Sequence, residues 1–280
     1  MRRNIVLLTL FALLLPMGGV VSAQETEQEI LQRYLSKTEK KHIRHQGWFA
    51  MNFAMNRINR HNDYNSFADY ETQRFTGTNF SWLNMAKTFG AEFGMMMNRR
   101  MAFSLGGEYW LKMGETFSGS YLYQPIGAAV SDPSSDIKVY GASASLLYYF
   151  TNAPTAQNGL KSFALRSKVT FGYYRAKWEL WADYQNLNLS TSLPEPSNLT
   201  FTGSAPGLAM TFGGDYPIGA HGFSLGAELG YQYLNFNNVS WYNDQNHEVV
   251  VTYAGTPETR VDLGFSGFIG KVEFKKLFTW

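Results

Sequence analysis

Residues 223–233 set the condition that the rest of the chain has to meet. Phe223, Leu225, Ala227, Leu229, Tyr231 and Tyr233 alternate with Ser224, Gly226, Glu228, Gly230 and Gln232. A β-strand turns successive side chains to opposite faces, so this segment has one oily face and one small or polar face. The same rhythm recurs in eight stretches, at about 47–58, 82–97, 101–115, 137–151, 162–178, 206–217, 222–236 and 260–275. Lipid on one side and a wet or ion-paired lumen on the other asks for this pattern. It predicts an all-β chain, an eight-stranded antiparallel transmembrane β-barrel.

The N-terminus predicts export. Arg2 and Arg3 precede an apolar run from Ile5 to Leu15, and Val21-Ser22-Ala23 forms a small-residue cleavage site. The run is shorter than the ~20 residues of a spanning helix, so residues 1–23 read as a signal peptide and the mature chain starts near Gln24. There is no cysteine, which excludes a lipoprotein anchor and disulfide staples. Removing both signal arginines leaves 22 basic against 22 acidic side chains, without the basic bias of a nucleic-acid binder. The 17 Tyr and 7 Trp suit the aromatic girdles of a membrane barrel.

Residues 24–46 read as a separate periplasmic segment. Glu25, Glu27 and Glu29 come early, Lys37, Lys40, Lys41 and Arg44 late, and Ile30, Leu31, Tyr34 and Leu35 share one side at helical spacing. That is a short amphipathic helix with its charges matched to the helix dipole. It serves as a plug, a surface anchor or a partner contact, or else is a loosely ordered leader. Residues 47–280 form the barrel. Its connections alternate between short (98–100, 152–161, 217–221) and long (about 59–81, 116–136, 179–205, 237–259), as in barrels with short periplasmic turns and long outer loops. Leu187, Leu189 and Thr191, and again Val249, Val251 and Tyr253, keep the alternation inside long connections. They read as hairpins projecting past the membrane, with a ten-stranded wall as the alternative.

With eight strands, short inner turns and long outer loops, the chain resembles the small outer-membrane barrels of the OmpA, OmpX and OmpW type. Phe274, Phe278 and Trp280 lie on one parity at the C-terminus, similar to the signal read by the barrel-assembly machinery. Lys276 interrupts that face, and Trp stands where Phe is usual. The resemblance implies a bacterial outer-membrane location, with outer-membrane lipid around the wall and the assembly machinery as a partner in biogenesis.

Parity sorts the charges. With Phe49, Phe89, Phe103, Tyr140 and Phe171 outward, the inward set includes Asn52, Glu92, Glu108, Lys112, Arg166, Lys168, Asp215, Glu228 and Gln232. On the lipid face Arg or Lys would cost ~2–4 kcal/mol each at mid-depth. Glu92, Lys168, Glu228 and Glu108 fall at one level, Arg166 slightly lower and Lys112 higher. Opposite charges at one level should pair. The expectation is a lumen closed by Glu92, Glu108 and Glu228 against Arg166 and Lys168, either a structural core or a gate that re-pairs for a small solute. Inward glycines, among them Gly90, Gly94, Gly106, Gly172 and Gly226, should leave room for the long charged chains.

Chemistry is sparse. His42 and His45 sit in the leader, His221 in a turn, and His61 and His247 in outer loops. A triad drawn from His61, Asp63 and Ser66 rests on a spacing common by chance. No metal-ligand spacing or phosphate loop occurs, and no cofactor is expected. Outer-loop aromatics Tyr64, Phe67, Tyr121, Tyr123, Trp181, Tyr184, Trp241 and Tyr242 either form a contact surface for sugar or protein, or cap their own protruding strands. The leading expectation is a non-enzymatic outer-membrane protein with a structural or surface-interaction role. A narrow pore with a charged constriction and a lipid-modifying enzyme remain as alternatives.

Overall fold

The computed structural model describes residues 46–59, 63–124, 128–151, 153, 163–185, 197–218, 221–242, 247–249, 251–253, 256–258 and 260–279. The expected signal peptide, the expected helix within 24–46, the 187–192 hairpin and Trp280 lie outside them. The elements in chain order are β1 (Gln46–Ile58), α1 (Asp63–Arg74), β2 (Phe75–Thr76), β3 (Met85–Met96), β4 (Met101–Met113) and β5 (Ser120–Tyr123). They continue with β6 (Ala128–Tyr149), β7 (Ala164–Gln185), β8 (Ser197–Ile218) and β9 (Phe223–Tyr242). Last come β10 (Glu248–Val249), β11 (Val251–Tyr253), β12 (Thr256–Glu258), β13 (Arg260–Gly264) and β14 (Gly267–Thr279).

Eight strands close on themselves. Around the wall the order is β1, β3, β4, β6, β7, β8, β9, β14 and back to β1, every pair antiparallel. The seam joins the two ends of the chain: Met51 lies opposite Phe274 and Asn52 opposite Glu273. Closure pairs every strand edge, which a wall standing in hydrocarbon requires. Two short links, 97–100 and 219–222, lie at one end, the turn end. One is fastened by Asn98, whose side-chain oxygen accepts the N–H groups of Arg100 and Met101, both at 2.8 Å. Both ends of the wall also lie there.

The outward face is an apolar belt. It runs from Phe49 to Met55 on β1, from Phe163, just before β7, to Tyr173, and from Tyr140 on β6 to Phe150 just after it. The eleven-residue runs 140–150 and 163–173 match the ~9–11 residues a tilted strand needs to cross a bilayer. Tyr109, Tyr140, Tyr173, Tyr231 and Tyr233 gather toward the loop end of the belt, as an interfacial girdle does.

Four strands run further than their sequence-based limits. β6 starts at Ala128 rather than 137, β7 reaches Gln185 rather than 178, β8 starts at Ser197 rather than 206, and β9 reaches Tyr242 rather than 236. The reason is an inversion of polarity at the belt's edge. Beyond it Trp178, Ala176, Ile137 and Val139 point inward while Lys177, Glu179 and Lys138 point out. The wall above the belt is therefore built like a water-soluble barrel, and its oily residues sit on the opposite parity. The stretch expected as one strand over 260–275 is two: β13 and β14, joined through Phe265 and Ser266, with β13 pairing β9 through a bulge between Val261 and Leu263. Neither β10 nor β11 enters the wall, so the barrel has eight strands and not ten.

Leu229 sits mid-belt on β9 and is 74% exposed. Leu229→Arg should lower folding stability in lipid vesicles by ~2–4 kcal/mol in a urea titration. Serine at Ser204, outward on β8 beyond the belt, should tolerate Arg without measurable loss.

Candidate functional site

The lumen is filled at three successive levels. Nearest the turn end, Trp48, Leu147, Tyr149 and Leu277 form a small apolar floor with Ala50, Ala102 and Ala164. Gly94 makes room for it: a Cβ there would fall 2.1 Å from the Trp48 ring.

Above the floor lies an ionic layer. Arg166 on β7 is fully buried, and its Nη2 reaches Glu273 at 2.5 Å, Glu228 at 2.6 Å and Asp215 at 3.2 Å. Lys168, two residues along the same face, pairs with Glu92 across the barrel and with Glu273 at 3.2 Å. Lys275 lies 3.1 Å from Glu273 and 3.0 Å from Asp215. Lys271 reaches Glu108 at 3.2 Å. Hydroxyls fill in: Tyr149 donates to Asp215 at 3.1 Å, Thr211 to Glu228 at 2.9 Å and Tyr174 to Glu108 at 3.2 Å. Taking any one of these ions out of water alone costs several kcal/mol, so the layer holds only as a set.

Of the residues singled out from sequence, the structure brings Glu92, Arg166, Lys168 and Glu228 together. Glu108 sits at the upper edge of the layer and pairs with Lys271 rather than with Arg166 or Lys168. The Lys112 side chain lies outside the described residues. The most connected acid, Glu273, and its neighbours Lys271 and Lys275 were not among them. The signal for these three was present, because Phe274 outward on β14 forces both of its neighbours inward. The inward glycines serve rings as much as charges. Gly141, Gly172 and Gly207 surround Tyr174, and a Cβ at Gly172 would fall 2.3 Å from that ring.

Toward the loop end the lumen becomes aromatic. Trp110, Tyr174, Trp178, Phe201, Phe236 and Phe265 are buried in one cluster. Helix α1 closes over it, from a connection expected to be plain loop. Tyr64, Phe67 and Ala68 fall at helical spacing after Asp63, a signal legible in hindsight. Tyr64 and Phe67 each lie 5.2 Å from the Trp178 ring, centroid to centroid. The helix is pinned by Asp63 Oδ2, which accepts the Asp262 N–H at 2.6 Å, and by Asn65 Oδ1, which accepts the Leu83 N–H at 2.7 Å. Thr72 Oγ1 accepts the Phe80 N–H at 2.9 Å.

For Tyr64 and Phe67 this corrects the reading as a contact surface and agrees with the alternative, that they cap their own strands. Tyr64 and Phe67 are 0% and 7% exposed, and burial pushes the Tyr64 phenol up to about 12. Tyr121 and Tyr123 pack half-buried against the same cluster. Tyr242 is half-buried, while Trp181, 37% exposed, faces outward. The side chains of Tyr184 and Trp241 lie outside the described residues. Phe274 faces outward, and Phe278 on β14 sits 5.8 Å from Phe93 on β3, over the intervening strand β1. His61 lies outside the described residues too, while Asp63 is engaged with β13 and Ser66 is exposed. Among the described residues no group of three or more metal-ligating side chains converges.

The strand pairing gives a closed, eight-stranded antiparallel barrel with an apolar outer belt. No protein-family model and no curated protein sequence matches the chain. Similar solved structures include Neisserial surface protein A, at 13% identity and TM-score 0.35, covering 82% of this chain and 95% of that one. Ail, the attachment invasion locus protein of Yersinia pestis, stands at 11% and 0.34, covering 83% and 99%. The outer membrane protease OmpT from Escherichia coli stands at 9% and 0.36, covering 85% and 98%. None of these likenesses carries a role over to this chain.

Arg166→Met strips the shared cation from Glu273, Glu228 and Asp215. A loss of ~3–5 kcal/mol is expected in urea unfolding from vesicles, and an unchanged midpoint would show that the layer does not hold as a set. A second effect sits on α1. Burial pushes the Glu71 carboxyl up to about 7, against the opposing pull of Arg74 3.9 Å away. A raised folded-state value means stability that is complete below the usual carboxylate range and is lost as pH climbs toward 7. Amide exchange in α1, corrected for intrinsic rates, should therefore speed up between pH 4.5 and 7.5, and Glu71→Gln should flatten that rise.

Proposed function

We propose that the chain is a non-enzymatic outer-membrane protein with a sealed barrel, which anchors and presents the surface at its loop end. The observation that carries this reading is the filled lumen: an apolar floor, an ion-paired middle and an aromatic core under α1 follow one another along the axis. A solute path would have to part all three. Support for a presenting role comes from β6, β7 and β8, which continue past the belt as a paired platform with Trp181 on its outer face. The loop end then faces the cell exterior and the turn end the periplasm.

Planar bilayers test the seal. The purified chain should give no steady current at moderate voltage, and a steady, salt-dependent conductance would overturn the reading in favour of a pore. Expression should leave the acyl-chain masses of lipid A unchanged, whereas loss or gain of a chain would make the protein an enzyme. Fractionation should place it with the outer membrane, with an N-terminus near Gln24.

A further inference from the structure

Outward residues change character abruptly at the loop-end edge of the belt. The first outward residue past the apolar run is Arg57 on β1, Lys87 on β3, Lys138 on β6 and Arg175 on β7. On β8 and β9 it is Ser204 and Asn235. Among the described residues none of these positions holds an acid. Long basic side chains at such an edge lay their stems on the hydrocarbon and lift their charge to the headgroup level.

Two parts of this collar differ. Lys138 is answered by Asp136 at 3.0 Å and Glu179 at 3.3 Å, and Lys177 by Glu179 at 2.5 Å. Arg57 and Lys87 have no such answer. Arg57 stands opposite Met85, and Lys87 opposite Met55, so the two cations are diagonal neighbours on adjoining strands. Diagonal neighbours on one face sit about 7–8 Å apart, close enough for both to reach one anion. Neither side chain is ion-paired or hydrogen-bonded among the described residues. The next three residues in the chain, Arg60, His61 and Asn62, add no acid. Two like charges side by side repel, and an anion lying against both relieves that repulsion. What lies beside them is the lipid belt: Phe53, Met55 and Phe89 are exposed immediately below.

We propose that Arg57 and Lys87 form a binding site for the phosphate of a phosphorylated lipid in the leaflet at the loop end. The acyl chains lie along the Met55 and Phe89 face while the phosphate bridges the two cations, with arginine supplying a planar pair of donors and lysine a point charge. The proposal rests on the membrane reading of the belt and goes beyond it by naming the lipid chemistry and its two ligands.

The test uses the purified chain in neutral detergent. Native mass spectrometry counts bound lipid while the protein is titrated with diphosphorylated lipid A, with the same lipid stripped of its phosphates, and with inorganic phosphate. The phosphorylated lipid should bind more tightly than the stripped one. Arg57→Gln or Lys87→Gln should each weaken it about fivefold and the double change about twenty-five-fold, on the order expected for basic residues at an anionic surface. Lys276→Gln should have no effect, because Lys276 lies at the turn end and already donates to the His221 carbonyl at 2.5 Å. Undiminished binding by the double variant, or equal binding of the stripped lipid, overturns the proposal. Displacement of the lipid by inorganic phosphate at equal concentration makes the site one for a free anion and overturns the lipid assignment. Insertion into neutral phosphatidylcholine vesicles separates the two layers of argument. The parent chain and the double variant should insert equally. Failure of the parent sinks the membrane reading, and insertion without phosphate discrimination sinks the collar alone.

Discussion

Hydrocarbon offers no hydrogen-bond partner, and the rest of the molecule answers to that deficit. Every backbone group in the belt must be met by a neighbouring strand, so the sheet has to close. Closure gives each strand an inside and an outside, and a period of two distributes side chains between them. Charges driven off the outer face then have nowhere to go but a narrow interior. There they meet at spacings of 2.5–3.2 Å around Arg166. The ionic layer is thus a consequence of the belt rather than an addition to it.

The belt and its eight strands were legible because lipid imposes one polarity over a whole crossing. Phe223 to Tyr233 shows that in six oily residues without a break. Legibility ended where the solvent changed. Past the belt, Trp178 and Ile137 turn inward while Lys177 and Lys138 turn out, so the same strand carries its oily residues on the other parity. Read as one pattern, the two halves cancel, and the strand looks finished at the crossing. On the last strand the obstacle was local. Lys275 and Lys276 are adjacent, and a charged pair reads as a broken rhythm although one points in and the other out. Lys271, Glu273 and Lys275 follow once Phe274 is taken as the reference.

The aromatic residues of the long connections show a different limit. Composition alone makes Tyr64 and Phe67 equally suited to a surface or to a core. Their fate is decided by Trp178, more than a hundred positions away in sequence, whose ring fills the mouth beneath them. The spacing from Asp63 onward announces a helix, but only the long-range contact says which face it buries. The presented surface is for that reason smaller in aromatic area than the loop composition suggests, with Trp181 its clearest remaining member.

The three carboxylates around Arg166 come from β8, β9 and β14, and β14 is also the strand that completes the seam with β1. Glu273 further ties Lys168 to that final strand, and Lys275 of the same strand reaches Asp215 on β8. An unfinished sheet therefore leaves Glu108 without Lys271 and Asp215 without Lys275 for as long as its C-terminal edge is undocked. Arrival of that edge settles the backbone ladder and the electrostatics in one event, which makes maturation of the cylinder cooperative and biases it against stopping part-way.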